Sequence, residues 1–358
     1  MTDFRVPNQN TQPIVSFPVF NNWDVIATGW YFVAKSSDIK KEEVKGFQIC
    51  GQEIVIFRDL ENQLYGMDAY CPHMGTHLGV GKVVGKNIQC FFHHWKFNGN
   101  GECVDIPCST QNKEKIQAKA KNQSYKVIEQ FGAIWVFPSS VPEFELASFA
   151  EFPSDDVVFK FGKPYERSCH HHITMINGID PQHLKTVHAI DLEMNVQIAE
   201  KSSGDMIDIT LTGKIGKETL KDRMARRILG ESYSYSMRYD SANNGFLTLM
   251  KNVRLFGTGP QLPSLHMIFA YRPIGKGKTL VQPIYVDKKR KGLTGAITNK
   301  ILIFMTKRAF FALQGEDGMI YENMRFYPAN LLEIDRPISM FIQYVNKLKP
   351  SSWSGAWR

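Results

Sequence analysis

The chain lacks the features of membrane-spanning and secreted proteins. None of its apolar runs approaches about 18 consecutive residues, which argues against a transmembrane helix. The first residues, MTDFRVPNQNTQPIVSF, contain no basic segment followed by an apolar block, so we expect no signal peptide. We therefore expect a cytoplasmic location, and peripheral contact with an anionic membrane stays open as an alternative.

Disulfides, internal repeats and low-complexity tracts are not indicated either. The chain has 358 residues, 43% apolar and 22% charged, typical of a globular protein with room for two domains. We expect no disulfide among its six cysteines, and those outside a metal site should be free thiols, mostly buried. The net charge is +8, but the dense basic run 288–291 has no interleaved aromatic residues. The lack of aromatic residues in this run disfavours nucleic-acid binding. The run is more typical of a solvated loop, and the basic surface could also attract an acidic electron carrier.

Cysteine and histidine are concentrated in residues 71–93, CPHMGTHLGVGKVVGKNIQCFFH. Two thiolates can hold one iron of a [2Fe–2S] cluster and two imidazoles the other, which defines a Rieske centre. A Cys2His2 zinc site is the competing interpretation. Zinc fingers, however, pair Cys with Cys and His with His, whereas each pair here contains one Cys and one His. The pattern therefore favours a Rieske cluster. Its candidate ligands form two pairs separated by 16 residues: Cys71 and His73, then Cys90 and His93.

Two more histidines and several glycines lie beside these ligands. We expect His77 to be exposed or hydrogen-bonded within its loop, and His94 to be at the surface or in contact with a ligand. Glycines at 75, 79, 81 and 85 predict tight loops whose backbone passes close to the cluster.

A second set of candidate ligands occurs in residues 177–188, NGIDPQHLKTVH. Asp180 and His183 are three residues apart and share a helical face. His183 and His188 are five apart, so a bend or helix end must separate them if both bind one metal. Two histidines and a carboxylate form the facial triad of non-heme Fe(II) oxygenases. The carboxylate stays open at this point, with candidates at Asp180, Glu316, Asp317 and Glu322.

Three consecutive histidines, His170, His171 and His172, are a further candidate metal site. We predict that they lie on a strand, where successive side chains point to opposite faces and cannot share one metal.

The pattern of predicted strands and helices changes near Pro138–Pro142, which we predict to be a domain boundary. Residues 1–20 are polar, and we expect them to be poorly ordered. Residues 21–140 contain short strands with regular turns, which predicts an all-β domain. Residues 141–358 combine longer strands with helical stretches at Leu293–Leu313 and Pro337–Lys347, which predicts an α+β domain with an antiparallel sheet.

The two metal motifs, in this order, resemble the oxygenase (α) subunit of the Rieske non-heme iron oxygenases over nearly the whole chain. The family's third iron ligand is an Asp well after the histidines, and Asp317 matches it. Many members have Gly where this chain has His94. The segments DAYCPHMG, NGIDPQHLKTVH and EDGMIYENMRFY look like the branch that holds ketosteroid 9α-hydroxylases and cholesterol 7-desaturases. The motif residues are Cys71, His73, Cys90 and His93 for the cluster, and Asp180, His183 and His188 around the iron.

The resemblance implies an oxidoreductase, a mono- or dioxygenase, with an N-terminal all-β Rieske domain and an α+β, helix-grip-like catalytic domain. Electrons from NAD(P)H would arrive through a partner reductase or ferredoxin and pass from the [2Fe–2S] cluster to Fe²⁺, where O2 is used. A hydrophobic substrate (sterol or steroid, isoprenoid or aromatic) would be hydroxylated, desaturated or demethylated.

The resemblance further implies a homotrimer in which one subunit's cluster serves its neighbour's iron. Asp180 would bridge a cluster histidine, His93, to His183. Asn177 is a candidate for a place near the iron, or for a helix cap. Two other classes stay open: a Rieske electron-transfer protein with a non-catalytic C-terminal domain, and a zinc-structured binding protein. Candidates for an apolar pocket, or for ordinary core, are Phe310, Phe311, Met319, Tyr321 and Met324.

Overall fold

The computed structural model describes residues 17–108, 112–187, 192–215, 217 and 220–357. Short strands and a short helix build the part that ends at Phe137. Their bounds are β1 (Tyr31–Lys35), β2 (Glu43–Ile49), β3 (Gln52–Arg58), β4 (Leu64–Asp68), β5 (Lys82–Val84), β6 (Asn87–Gln89), β7 (Lys96–Phe97), β8 (Cys103–Asp105), α1 (Lys113–Lys119), β9 (Ser124–Gln130) and β10 (Ala133–Phe137).

These strands form two antiparallel sheets among the described residues. The larger has the order β1-β10-β9-β4-β3-β2, and the smaller has the order β5-β6-β7-β8. The β2–β3 hairpin turns at Cys50 and Gly51, whose φ angles of 51° and 83° match the right-handed twist of the strands. The predicted short strands and regular turns of this part are confirmed.

Longer strands and helices follow. Their bounds are β11 (Val157–Phe161), β12 (Tyr165–Arg167), α2 (His171–Asn177), α3 (Pro181–Thr186), β13 (Leu192–Glu200), β14 (Met206–Ile215), α4 (Leu220–Leu229), β15 (Ser232–Asp240), β16 (Asn244–Lys251), β17 (Leu265–Gly275), β18 (Lys278–Lys288), α5 (Gly292–Asn323) and α6 (Arg336–Lys347).

The larger sheet of this second part is antiparallel, with the order β11-β18-β17-β16-β15-β14-β13. Successive residues of a strand point to opposite faces, so its two faces carry different residues. Even-numbered residues such as Phe246, Ile268 and Ile284 pack with Trp30 and Trp135 of the first part. Odd-numbered residues face α5 and α6. The mixed fold class is confirmed. No described helix combines the length and hydropathy needed to cross a bilayer.

Both ends of the described chain pack against the body of the protein. Val19 and Phe20 are 2% and 1% exposed in the core of the second part, although residues 1–20 were expected to be poorly ordered. Residues 1–16 lie outside the described residues. Trp353 is 1% exposed and fills the core of the first part against Tyr31 and Tyr125. The C-terminal segment therefore joins the two parts.

Candidate iron–sulfur and iron sites

Two similar loops present the candidate cluster ligands. The backbone N–H of Cys71 donates to the carbonyl of Thr76, and that of Cys90 donates to the carbonyl of Trp95, each at 2.9 Å. Gly75 has a φ of +73°, which glycine adopts without strain. Both cysteines are buried, at 3% and 2% exposure. The loops therefore place two sulfurs inside the protein, side by side.

The two histidines of these loops lie towards solvent. His73 is exposed and His93 is half-buried, with their ring centroids 4.7 Å apart. The His73 ring stacks on Trp95 at 4.3 Å with an interplanar angle of 7°, which fixes its orientation. One end of the site is therefore a buried pair of thiols, and the other is an accessible pair of imidazoles.

The electrostatics of the cysteine pair fit a cationic centre. Burial, and secondarily the neighbouring Cys90, raises the pKa of the Cys71 thiol to about 12. Two adjacent buried thiolates are unfavourable by themselves, whereas metal ligation deprotonates coordinating thiols. The donor set of two thiolates and two imidazoles is that of a Rieske [2Fe–2S] cluster. These residues therefore fit the cluster.

The neighbouring histidines behave as predicted. His77 Nδ1 accepts a hydrogen bond from the Gly79 backbone N–H at 3.0 Å and caps a short 3₁₀ turn. His94 is exposed, with a φ of +59°. The six cysteines form no disulfide, and of those outside the cluster Cys50 and Cys103 are buried while Cys108 is exposed.

The second set of ligands is organised by α3. Asp180 caps the start of this helix, because its carboxylate accepts from the Gln182 N–H at 2.8 Å and from the His183 N–H at 3.4 Å. The helix ends at Thr186. A helix end therefore precedes position 188, as the five-residue spacing requires. His188 itself lies outside the described residues.

His183 is oriented by the backbone. Its Nδ1 lies 2.7 Å from the carbonyl oxygen of Asp180. A carbonyl only accepts, so Nδ1 carries the proton and the lone pair of the neutral ring is at Nε2. Metal-ligating histidines are commonly fixed in this way by a carbonyl behind the ring. The contact comes from the main chain of Asp180, while its carboxylate caps the helix.

A cavity lies between the odd-numbered face of the large sheet, α2, α3 and α5. The cavity opens to solvent, and the empty space within it and at its mouth together measures about 1020 Å³. His183 and Asp317 both line it, although they are far apart in the sequence. The described part of the triad therefore lines one cavity, which fits a metal site with open positions.

Some of the predicted pocket residues line this cavity and others do not. Asn177 and Phe310 do. Phe311 and Met319 are 46% and 72% exposed, so the prediction for these two is wrong. Met324 packs against the core of the second part. The side chains of Glu316, Tyr321 and Glu322 lie outside the described residues.

Most of the cavity wall was not predicted from the sequence. Alternation along the strands was its only signal, and the face that lines the cavity could not be known without the pairing. The missed residues include Tyr165, Arg167, Tyr233, Tyr235, Met237, Leu247, Leu249, Met267, Phe269 and Tyr271.

The three consecutive histidines do not lie on a strand, so that prediction is wrong. His170 caps α2, which contains His171 and His172, and one ring nitrogen of each histidine lies within 4.8 Å of the corresponding nitrogens of the other two. His170 Nδ1 accepts from the His172 N–H at 3.2 Å, and His172 Nδ1 accepts from the Asn21 N–H at 3.0 Å. Two of the three rings thus have a lone pair engaged, which disfavours a metal.

Comparisons with known proteins identify the domain that carries the first site. Residues 29–131 match the family model of the Rieske [2Fe-2S] domain. Cholesterol 7-desaturase nvd 1 of Ciona intestinalis is 28% identical over 343 residues, covering 92% of this chain and 69% of that protein. The oxygenase component of 3-ketosteroid-9-alpha-monooxygenase from Rhodococcus rhodochrous is 34% identical over 111 residues, which cover 31% of this chain and 27% of that protein.

The fold has solved counterparts. The structure of dicamba monooxygenase bound to 3,6-dichlorosalicylic acid has a TM-score of 0.64, 17% identity, and covers 90% of this chain and 97% of that one. The ligand loops and the family match define a Rieske [2Fe–2S] domain in this chain, and the names of its relatives, a desaturase and a monooxygenase, support an oxidoreductase. The curated proteins that this chain is similar to include two that are named for sterol and steroid oxidation.

Proposed function

We propose that this oxygenase oxidises a sterol or steroid by hydroxylation, desaturation or demethylation, with isoprenoid and aromatic compounds as the next candidates. The observation that carries the proposal is the cavity. His183 and Asp317 are on its wall, and most of the remaining wall is aromatic or aliphatic. Such a wall favours an apolar ligand that is oriented by few polar contacts.

The metal groups would be held by residues at the two sites. Cys71, His73, Cys90 and His93 would hold the cluster, and His183, His188 and Asp317 the Fe²⁺. When bound, these groups supply one-electron transfer and O2 reduction. The chain's own contribution is to fix the His183 tautomer through Asp180 and to enclose the substrate in an apolar cavity.

One hydroxyl in the cavity is suited to an oxygen atom of the substrate. Tyr235 lines the cavity, and among the described residues its buried hydroxyl has no hydrogen-bond partner. Tyr233, two residues earlier on the same strand face, has a backbone partner at Met250. Tyr235→Phe should raise the dissociation constant of an oxygen-bearing sterol about tenfold, and Tyr233→Phe should change it less. Equal effects of the two variants would contradict this role.

Electron delivery is proposed at the cluster loops, from NAD(P)H through a ferredoxin or reductase. Met74, Phe91 and Phe92 are 67%, 70% and 55% exposed beside the ligands, although such side chains are usually buried. This accessible apolar surface suits an electron partner or the next subunit of a homotrimer.

Asp180 is proposed to bridge a cluster histidine of one subunit, His93, to His183 of the next. Asp180→Asn separates this role from helix capping, because an amide oxygen can still accept from the two N–H groups. We expect the variant to keep both metals and lose coupled turnover. Full turnover in a variant that retains its iron would exclude the bridge.

Iron stoichiometry and electron paramagnetic resonance of the dithionite-reduced protein test the whole proposal. An oxygenase should contain about three irons per chain and a reduced-cluster signal of low average g value. Asp317→Ala should lose about one iron and keep the cluster signal, whereas Gln314→Ala, which alters the same cavity, should lose none. About two irons in the wild type, even after addition of Fe(II), would favour the alternative of an electron-transfer protein.

A further inference from the structure

Helix α4 exposes apolar residues along one side. Leu220, Met224 and Ile228 are 68%, 58% and 45% exposed, and their spacing of four residues places them in one row. Arg223 and Arg227 are exposed beside that row. A helix with an apolar row next to arginines is typical of segments that lie at a membrane interface.

A loop next to α4 repeats the pattern. Phe256 is 64% exposed in a short 3₁₀ turn that packs against α4, and its φ is +56°. This backbone region is unfavourable for a bulky residue. The loop therefore holds an aromatic side chain in solvent at a conformational cost.

Helix α5 carries a longer row. Leu293, Ile297, Ile301 and Phe304 are 80%, 50%, 52% and 62% exposed, at helical spacing on the side away from the cavity. From 292 to 315 the sequence contains no Asp or Glu, whereas Lys300, Lys307 and Arg308 are present. None of the described helices can span a bilayer, so this row suits contact along a surface.

The three elements leave the same end of the sheet. Helix α4 connects β14 to β15, the Phe256 loop connects β16 to β17, and α5 follows β18. These strands are antiparallel neighbours, so all three connections are at one end. Lys288, Lys289 and Lys291 are exposed there, and no ion pair involves them in the described part of the chain.

We propose that this end of the sheet, with the outer row of α5, docks on a lipid bilayer that contains anionic headgroups. The apolar rows would enter the interface, and the arginines and lysines would contact headgroup phosphates. A second copy of the chain related by a two-fold axis is a poorer occupant, because that contact would place this basic surface against itself. Since α5 also lines the cavity, docking would bring the cavity beside a reservoir of apolar substrate; this last step rests on the proposed function.

Vesicle sedimentation with the purified, iron-loaded protein tests the docking directly and needs no turnover. We expect binding to vesicles of phosphatidylcholine with phosphatidylglycerol, and much weaker binding to phosphatidylcholine alone or at high salt. The double variant Arg223→Glu/Arg227→Glu should lower the partition coefficient about tenfold or more. Leu293→Ser/Phe304→Ser should lower it too, at unchanged iron content and circular dichroism.

Matched controls are available elsewhere on the surface. Lys40→Glu/Lys41→Glu makes the same charge change on exposed residues of the first part, and Val141→Ser removes a side chain that is 73% exposed. Neither should alter vesicle binding. The proposal is overturned if the wild type does not sediment with anionic vesicles, or if the controls reduce binding as much as the α4 and α5 variants. It is also overturned if Leu293→Ser/Phe304→Ser converts a larger oligomer into a smaller one, which would identify a self-association face.

Discussion

At the scale of single residues, two adjacent histidines are separated by the backbone. His93 is half-buried and its ring is near His73, whereas His94 is exposed and has a φ of +59°. That left-handed residue redirects the chain, so the Trp95 ring can return to stack on His73. The geometry explains how two neighbouring histidines have different environments.

We therefore expect His93→Ala and His94→Ala to differ sharply. The first should lose the cluster, with a fall of about two irons per chain and loss of the reduced-cluster signal. The second should retain both. His94→Gly should be neutral or slightly stabilising, because glycine adopts this φ without strain. Loss of the cluster in His94→Ala, together with its retention in His93→Ala, would reverse the ligand assignment.

At the scale of elements, the start of α2 fastens the N-terminal segment. His170, His171 and His172 are 2%, 5% and 1% exposed. Trp23 contacts the His170 ring at 4.6 Å, and Phe20 stacks on His172 at 5.6 Å. Burial lowers the pKa of all three imidazoles, to about 3 for His171. The N-terminal segment is thus packed on three imidazoles that stay neutral in the folded protein.

The three buried histidines predict that the free energy of unfolding falls in mild acid. A histidine in the unfolded chain has a pKa of about 6.5, so below this pH the unfolded chain binds protons that the folded chain excludes. Each of the three histidines should therefore lower the free energy of unfolding by up to about 1.4 kcal/mol for each pH unit below this value. Asp240 acts oppositely, because burial raises its pKa to about 7, but it is one group against three. Denaturant unfolding from pH 7.5 to 5 should show the loss, and His171→Asn should reduce its slope. Parallel slopes for wild type and variant would contradict the prediction.

Alternation and turn residues sufficed to predict the short strands of the first part and the antiparallel sheet of the second. They failed at the three histidines, because an apolar and β-branched environment suggests a strand while the His170 cap starts a helix. The helical stretch was predicted to end at Leu313, before Asp317, whereas α5 runs through Asp317 from Gly292 to Asn323. The candidate ligand motifs could be recognised in the sequence because their residues are close together along the chain. The residues of the cavity wall could not be recognised in this way, because they are brought together only by the pairing of the strands.

At the scale of the whole molecule, the chain returns to its beginning. The Ser351 N–H donates to the carbonyl of Ile26 at 2.7 Å, and the Thr28 N–H donates to the carbonyl of Lys349 at 2.8 Å. Trp353 then fills the core of the first part. The C-terminal segment therefore contributes to the stability of the domain that carries the cluster.

Trp353→Ala should destabilise the protein by about 3–5 kcal/mol, since it removes a fully buried indole. The visible absorption of the cluster should consequently be lost at a lower urea concentration than in the wild type. Trp353→Phe keeps an aromatic ring and should cause a smaller loss. If Trp353→Ala leaves the urea midpoint of cluster loss unchanged, the segment is not coupled to this domain.

The proposed trimer makes a prediction that no single chain can satisfy. Cys90→Ser should lack the cluster and His183→Ala the iron, so each alone should be inactive. In a head-to-tail ring assembled from equal amounts of both, about a quarter of the contacts place an intact cluster beside an intact iron site. Co-expression should therefore restore about a quarter of the wild-type turnover. If electrons instead passed within one chain, no contact in such a hybrid would be productive, and inactivity of a verified mixed trimer would exclude transfer between subunits.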